Sequence, residues 1–216
     1  MRPKHLAIRL SKLEPHPCGR LELEQYVTEG DLAAYWMLAV NETDGLYGQH
    51  VLDLGAGNGV LGIACLHLGA AHVTFVEADE EAVEVIRRNV AALDPELQPR
   101  TKVMHAQLGR DGFTPPEVNI VVTNPPWGTQ TPRADRPLLE TAFSTTARSV
   151  HVLHHVNAQH IEALAKANNW AHEHLLRTEF RLPAQYLHHT KRATTTEVMC
   201  WRFHRPGDEQ LPQEAD

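Results

Sequence analysis

Val51-Leu52-Asp53-Leu54-Gly55-Ala56-Gly57-Asn58-Gly59-Val60-Leu61-Gly62 reads as a short apolar strand that runs into a glycine turn and out into a helix. Glycine has no Cβ and tolerates positive φ, so the turn can be tight and a ligand can lie against its backbone. In a doubly wound sheet such a turn lies at the carboxyl edge of the strands, where ligands bind. Gly57-x-Gly59-x-x-Gly62 also satisfies the dinucleotide fingerprint, a weak signal taken alone.

Two acidic residues narrow the ligand. Glu77 ends the next predicted strand, and a carboxylate there can accept both hydroxyls of a ribose. Asp53 precedes the glycines, at a position that is usually apolar in nicotinamide enzymes. A ligand carrying an ammonium group would gain from that charge. S-adenosylmethionine has such an ammonium and a sulfonium besides, so a methyl donor is favoured over NAD and over a turn that binds nothing.

Outward from the turn, β-rich runs at Val51–Leu54, Val73–Val76, Thr101–His105, Val118–Thr123 and Val150–His154 alternate with helical patterns at Val60–Leu68, Glu80–Ala92, Leu138–Arg148 and Ala158–Asn168. Ile120-Val121-Val122 is apolar without alternation, as in a strand covered on both faces. Such repetition predicts right-handed βαβ units and a parallel sheet between helices. The last two strand candidates, Leu175–Arg181 and Thr194–Phe203, have no helical pattern between them and must pair antiparallel. The expected fold is α/β: a Rossmann-like, seven-stranded, mostly parallel sheet with one antiparallel strand. Leu32, Tyr35, Trp36 and Ala39 mark an amphipathic helix ahead of it, closed by Gly45 and Gly48. Residues 1–20 are expected as a flexible basic arm, 21–205 as a single domain and 206–216 as an acidic, disordered tail.

A second stretch carries chemistry. Thr123-Asn124-Pro125-Pro126-Trp127-Gly128 follows the apolar strand. Two prolines fix φ and give up their N–H groups, which holds the chain rigid and open past the strand end. Its carbonyls and the Asn124 oxygen can then accept from a ligand, while Trp127 is expected to offer a flat stacking face. An acceptor pair beside an aromatic plane suits an exocyclic –NH2 on a planar ring or amide. Asn124, Pro125, Pro126 and Trp127 are therefore the candidate catalytic residues.

Composition agrees with one soluble domain: 216 residues, 42% hydrophobic and 22% charged, which excludes disorder, collagen and coiled coil. Cys18, Cys65 and Cys200 have no paired spacing, so neither a disulfide framework nor a zinc knuckle is readable. No apolar signal core or membrane span is present, and a cytoplasmic protein without membrane contact is expected. The net charge of −7 excludes a basic coat but not a local basic patch. His151, His154, His155 and His160 lack the spacing of a zinc helix, and no metal site is assigned to them.

The glycine turn and the Asn-Pro-Pro-aromatic corner, with Leu23-Glu24-Gln25-Tyr26-x-Thr28 and Leu182-Pro183-Ala184-x-Tyr186, resemble the methyltransferase-like-five family in a compact archaeal form. These are class I S-adenosylmethionine-dependent adenine-N6 methyltransferases of small-subunit ribosomal RNA. The resemblance runs from Leu21 to Phe203. It implies that Gln25 and Thr28 contact the cofactor, that Gly55, Gly57, Asn58 and Val60 line its methionine and ribose, and that Glu77 holds the ribose. Gln107 and Leu108 stand where the family reads the cofactor adenine, Gln107 replacing the usual Asp. Trp127 replaces the commoner Phe. The family also pairs with a small zinc-binding activator protein that adds a strand to the sheet edge, which would be Thr101–Ala106 here. If RNA is the substrate, the basic arm, Arg133 and Arg136 are candidate contacts. Arg181 with Tyr186, His188, His189, Lys191 and Arg192 ranks first as the clamp on the RNA backbone. The rivals are a protein glutamine methyltransferase, whose substrate amide fits the same acceptors, a DNA adenine methyltransferase, and a silent RNA-binding or assembly subunit.

Overall fold

The computed structural model describes residues 1–17, 28–109, 112–128, 131–182 and 194–207. Thirteen elements follow in chain order among these residues: α1 (Pro3–Leu10), α2 (Gly30–Asp44), β1 (His50–Leu54), α3 (Val60–His67), β2 (His72–Glu77), α4 (Glu80–Ala91), β3 (Thr101–His105), β4 (Ile120–Thr123), α5 (Arg136–Ser144), β5 (Ser149–His155), α6 (Gln159–Ala167), β6 (Ala171–Leu182) and β7 (Thr194–His204). The strands form one sheet in the order β3-β2-β1-β4-β5-β7-β6. β1 to β5 pair parallel, and β7 runs antiparallel between β5 and β6. The single antiparallel strand is the one the missing helical pattern demanded.

Strand order reverses between β1 and β4, so the carboxyl edge there is the topological switch point. Leu54 lies opposite Thr123 in that pairing, and the Thr123 hydroxyl donates to the Leu54 carbonyl at 2.7 Å. Gly55 and Asn124 therefore leave adjacent strands side by side. β4 is buried along its whole length, as its unbroken apolar run implied.

Each sheet face carries its own core. One buries Leu6, Trp36, Met37, Ile63, Leu66, Phe75 and Ile86 under α1 to α4; the other buries Leu139, Phe143, Ile161, Trp170, Trp201 and Phe203 under α5 and α6. Gly62 shows how closely α3 sits on the sheet. A Cβ at Gly62 would lie 2.3 Å from Phe75 Cε1 and 2.8 Å from Val73 Cγ1.

The N-terminus departs from expectation. In place of a loose arm, Pro3–Leu10 is helical, with Pro3 in the first turn, where its missing N–H costs nothing. Leu6, Ala7 and Leu10 share one buried face in the core beneath α2. A two-turn helix of this length holds only by such docking. α5 also ends earlier than the periodicity suggested, because Thr145 turns extended. The acidic tail beyond residue 207 lies outside the described residues.

A candidate active site at the switch point

The glycine turn is held by two carboxylates that sequence reasoning assigned to the ligand. Gly55, Gly57 and Gly59 take φ of 66°, 60° and 85°. Glu77 Oε2 accepts the Gly57 N–H at 2.8 Å, and Oε1 accepts those of Ala78 and Asp79 at 2.8 and 3.0 Å. Burial raises the Glu77 carboxyl above its ordinary value, against the pull of these three amides. Asp53 is 1% exposed and its Oδ2 accepts the Gly62 N–H at 2.8 Å, across the first turn of α3. Its Oδ1 is buried with no hydrogen-bond partner among the described residues. Burial, reinforced by the charge of Glu77, pushes the Asp53 carboxyl up to about 7 despite the Gly62 bond.

Two buried carboxylates that resist ionisation beside a glycine cradle suit a cationic ligand, which would favour both charges. The residues therefore fit S-adenosylmethionine. Asp53 acts from behind the turn instead of lining it. Val60 likewise puts its side chain into the core and leaves only its backbone at the helix start.

Asn58 is 8% exposed; its Nδ2 donates to the Glu14 carbonyl at 3.1 Å, and its own carbonyl accepts from Asn89 Nδ2 at 2.9 Å. These bonds draw residues 14–16 across the turn. Glu14 pairs with Arg88 at 2.7 Å, and a Cβ at Gly57 would meet the His16 ring at 3.2 Å. Burial lowers the His16 imidazole from its ordinary value, opposed by the Asp79 charge. His16 and Glu14 are site neighbours that the sequence did not disclose. Only Pro15 and Pro17, stiffening the segment, hint at a fixed path.

At the diproline corner, Asn124 is held at both ends of its amide. Nδ2 donates to the Thr28 hydroxyl at 3.0 Å, and Oδ1 accepts the Trp127 indole N–H at 3.2 Å. That pattern also fixes which amide atom is which. Thr28 is thus brought from a distant part of the chain to Asn124 and Trp127. Trp127 corrects one expectation. It presents no open stacking face: it is 8% exposed and packs edge-on against Phe180 at 5.1 Å, with His154 at 6.0 Å. The indole is a wall and an N–H donor. Behind it, Asp135 Oδ2 is paired with His160 and lies 3.4 Å from His154 Nε2.

Gln107 is exposed and Leu108 buried just beyond β3, a loop tied in by the Ala106 N–H on the Glu77 carbonyl at 3.0 Å. Gln25, Tyr186, His189, Lys191 and Arg192 lie outside the described residues; Arg181, in β6, pairs through its backbone with Thr195 of β7.

A glycine cradle, buried carboxylates and an amide-presenting corner at one switch point define a methyltransferase, and the methyltransferase small domain family model matches residues 29–169. Within that class the chain belongs to the METTL5 family. It is 30% identical to the zebrafish (Danio rerio) rRNA N(6)-adenosine-methyltransferase METTL5, over 94% of this chain and 99% of that one. It is 28% identical to the uncharacterized protein MJ0284 of Methanocaldococcus jannaschii, over 98% of both chains. Among solved structures, PH1948 of Pyrococcus horikoshii, which carries a provisional RNA-methyltransferase assignment, superposes with a TM-score of 0.84 at 34% identity, covering 95% of this chain and 98% of that one. No described helix is long and apolar enough to cross a membrane.

Proposed function

We propose that the protein transfers a methyl group from S-adenosylmethionine to the N6 amine of an adenosine in ribosomal RNA, small-subunit RNA in particular. METTL5 relatives named for that reaction support the substrate class. The observation that carries the chemistry is the Asn124 amide, held at both ends beside the glycine turn. The bonds from Nδ2 to Thr28 and from the Trp127 N–H to Oδ1 fix the orientation of that amide.

An adenine amine is a poor nucleophile because its lone pair is delocalised into the ring. Asn124 Oδ1 and a carbonyl of the diproline corner would grip the two N–H bonds and turn that lone pair out of the ring plane. The cofactor supplies an electrophilic methyl when bound. Asp53 and Glu77 place negative charge behind it, and the turn backbone, Asn58, Gln25, Thr28, Gln107 and Leu108 position it. Positioning of this kind supplies most of the barrier reduction, and no strong base is required. A stacked adenine must first flip out, at about a few kcal/mol; Arg181, Tyr186, His189, Lys191 and Arg192 would hold the RNA backbone meanwhile. β3 is a sheet edge, which suits a strand-donating, zinc-binding activator protein.

Labelled S-adenosylmethionine incubated with ribosomal RNA, followed by nucleoside mass spectrometry, should yield N6-methyladenosine. Asn124→Ala should abolish transfer and leave cofactor affinity within a few fold. Transfer retained by that variant, or label in protein glutamine instead of RNA, overturns the proposal.

A further inference from the structure

Far from the switch point, three side chains converge at the opposite border of the sheet. His172 and His174 are two apart on β6, so they project from one face of this edge strand. Glu162, on α6 above them, places Oε1 3.3 Å from His174 Nε2 and Oε2 3.5 Å from His172 Nε2. One donor atom from each lies within 4.8 Å of the other two. Bonds of about 2.0–2.2 Å from a tetrahedral zinc ion would set its ligand atoms roughly 3.3–3.6 Å apart. The two Glu162–histidine separations, one to each carboxylate oxygen, fall in that range.

The surroundings match as well. Trp201, 2% exposed, donates its indole N–H to Glu162 Oε1 at 3.1 Å, the kind of outer bond that orients a ligating carboxylate. The imidazoles are about a third and a half exposed. A groove of about 530 Å³, bounded by Glu162, Lys166 and His172 among others, opens beside them and leaves room for water as a fourth ligand.

The Asp135–His154–His160 cluster shows what a metal site cannot be. There His154 Nδ1 accepts the His155 N–H at 2.8 Å. The ring proton of neutral His154 must then sit on Nε2, which takes away the lone pair an ion would need. Among the described residues no such N–H is directed at Nδ1 of His172 or His174, so an ion can take their Nε2 lone pairs while the ring protons move to Nδ1.

We propose that Glu162, His172 and His174 form a binding site for a divalent transition-metal ion of the imidazole-preferring class, zinc foremost, which staples α6 to the edge strand β6. Two imidazoles and one carboxylate favour such ions over magnesium or calcium. The strand so fixed runs on to Phe180, whose ring buttresses Trp127 in the active site.

The full-length chain, stripped with chelator, is titrated with Zn²⁺ by calorimetry and with Co²⁺ by absorption. One ion per chain should bind, with the intense d–d bands of a tetrahedral Co²⁺ site, and Zn²⁺ should raise the thermal midpoint. His172→Ala/His174→Ala should lose both effects while matching the wild type in chelator, since both side chains are partly exposed. His160→Ala should keep them. Binding unchanged in the double variant, binding lost in His160→Ala, or a wild type that takes no ion under a molar excess of Zn²⁺ overturns the proposal.

Discussion

Asp53 makes cofactor binding a proton-linked event, and its size follows from the structure. The free protein holds this carboxyl at about 7, against an ordinary 3.8, chiefly by burial. A cationic ligand a few ångströms away lowers a carboxylate by 1–3 pH units, about two here. Between pH 8 and pH 6 the free site gains most of a proton that the loaded site does not. Apparent affinity for S-adenosylmethionine should therefore fall roughly nine-fold over that interval, with close to one proton released per cofactor bound at pH 6. Calorimetry in two buffers of different ionisation enthalpy measures both quantities. Asp53→Asn removes the linkage and leaves Glu77 in place, so it separates the two carboxylates.

The same group has the opposite sign for stability. A raised carboxyl contributes most when protonated, below 3.8, and loses that contribution as pH rises through about 7, so ionised Asp53 costs about 4 kcal/mol. Asparagine keeps an oxygen for the Gly62 N–H but buries an NH2 without a partner, at about 1–3 kcal/mol. The variant should gain on the order of 1–3 kcal/mol at pH 8 by urea unfolding while binding cofactor more weakly. A wild type with flat affinity from pH 6 to 8, or a variant with the same slope, refutes the reasoning.

Three other substitutions probe the frame. Trp127→Phe keeps the wall against Phe180 but removes the N–H that orients Asn124; turnover should fall about 2- to 10-fold with cofactor affinity unchanged, the loss of one neutral hydrogen bond. Gly62→Ala drives a methyl to 2.3 Å from Phe75, so a loss of about 1–3 kcal/mol is expected, together with weaker cofactor binding because the amide held by Asp53 must move. Asp44→Ala strands Arg202, which donates to Asp44 at 2.7 and 3.0 Å, and His151 at 2.7 Å. Breaking this buried cluster should cost about 3–5 kcal/mol in urea unfolding without changing kcat for the folded fraction. Hydrogen bonds from His151 and Arg202 outweigh burial and hold the Asp44 carboxyl well below its ordinary range. Its contribution is therefore present at neutral pH and fades only in strong acid.

Periodicity made the sheet legible because it reports on neighbours along the chain. Ile120-Val121-Val122 had to be a doubly covered strand, and the lack of a long helical sequence pattern before Thr194 had to reverse one strand. Bonds between distant residues leave no such trace. Asp44 and Arg202 are 158 positions apart, and nothing in either segment announces the pair. The eight-residue α1 is too short to hold without docking, and its basic, proline-flanked composition reads as an arm. Sequence reading passes over His172 and His174, since Glu162 completes the cluster only once α6 lies over β6.

The candidate site shows the same divide within a single motif. Asn124-Pro125-Pro126-Trp127 disclosed an acceptor corner, since diproline rigidity and a side-chain oxygen are properties of the residues themselves. The role of Trp127 is a property of where its ring goes. An open indole would stack on a base; this one turns inward onto Phe180 and spends its N–H on Asn124. Phenylalanine in its place can build the wall and cannot make the bond. With that bond gone, more of the hold on the amide falls to Thr28. A Thr28→Val substitution should therefore hurt a Trp127→Phe background more than the wild type, and a double-mutant cycle on kcat/KM reads that coupling directly. Strict additivity would mean that the two bonds do not share the task of aiming Asn124.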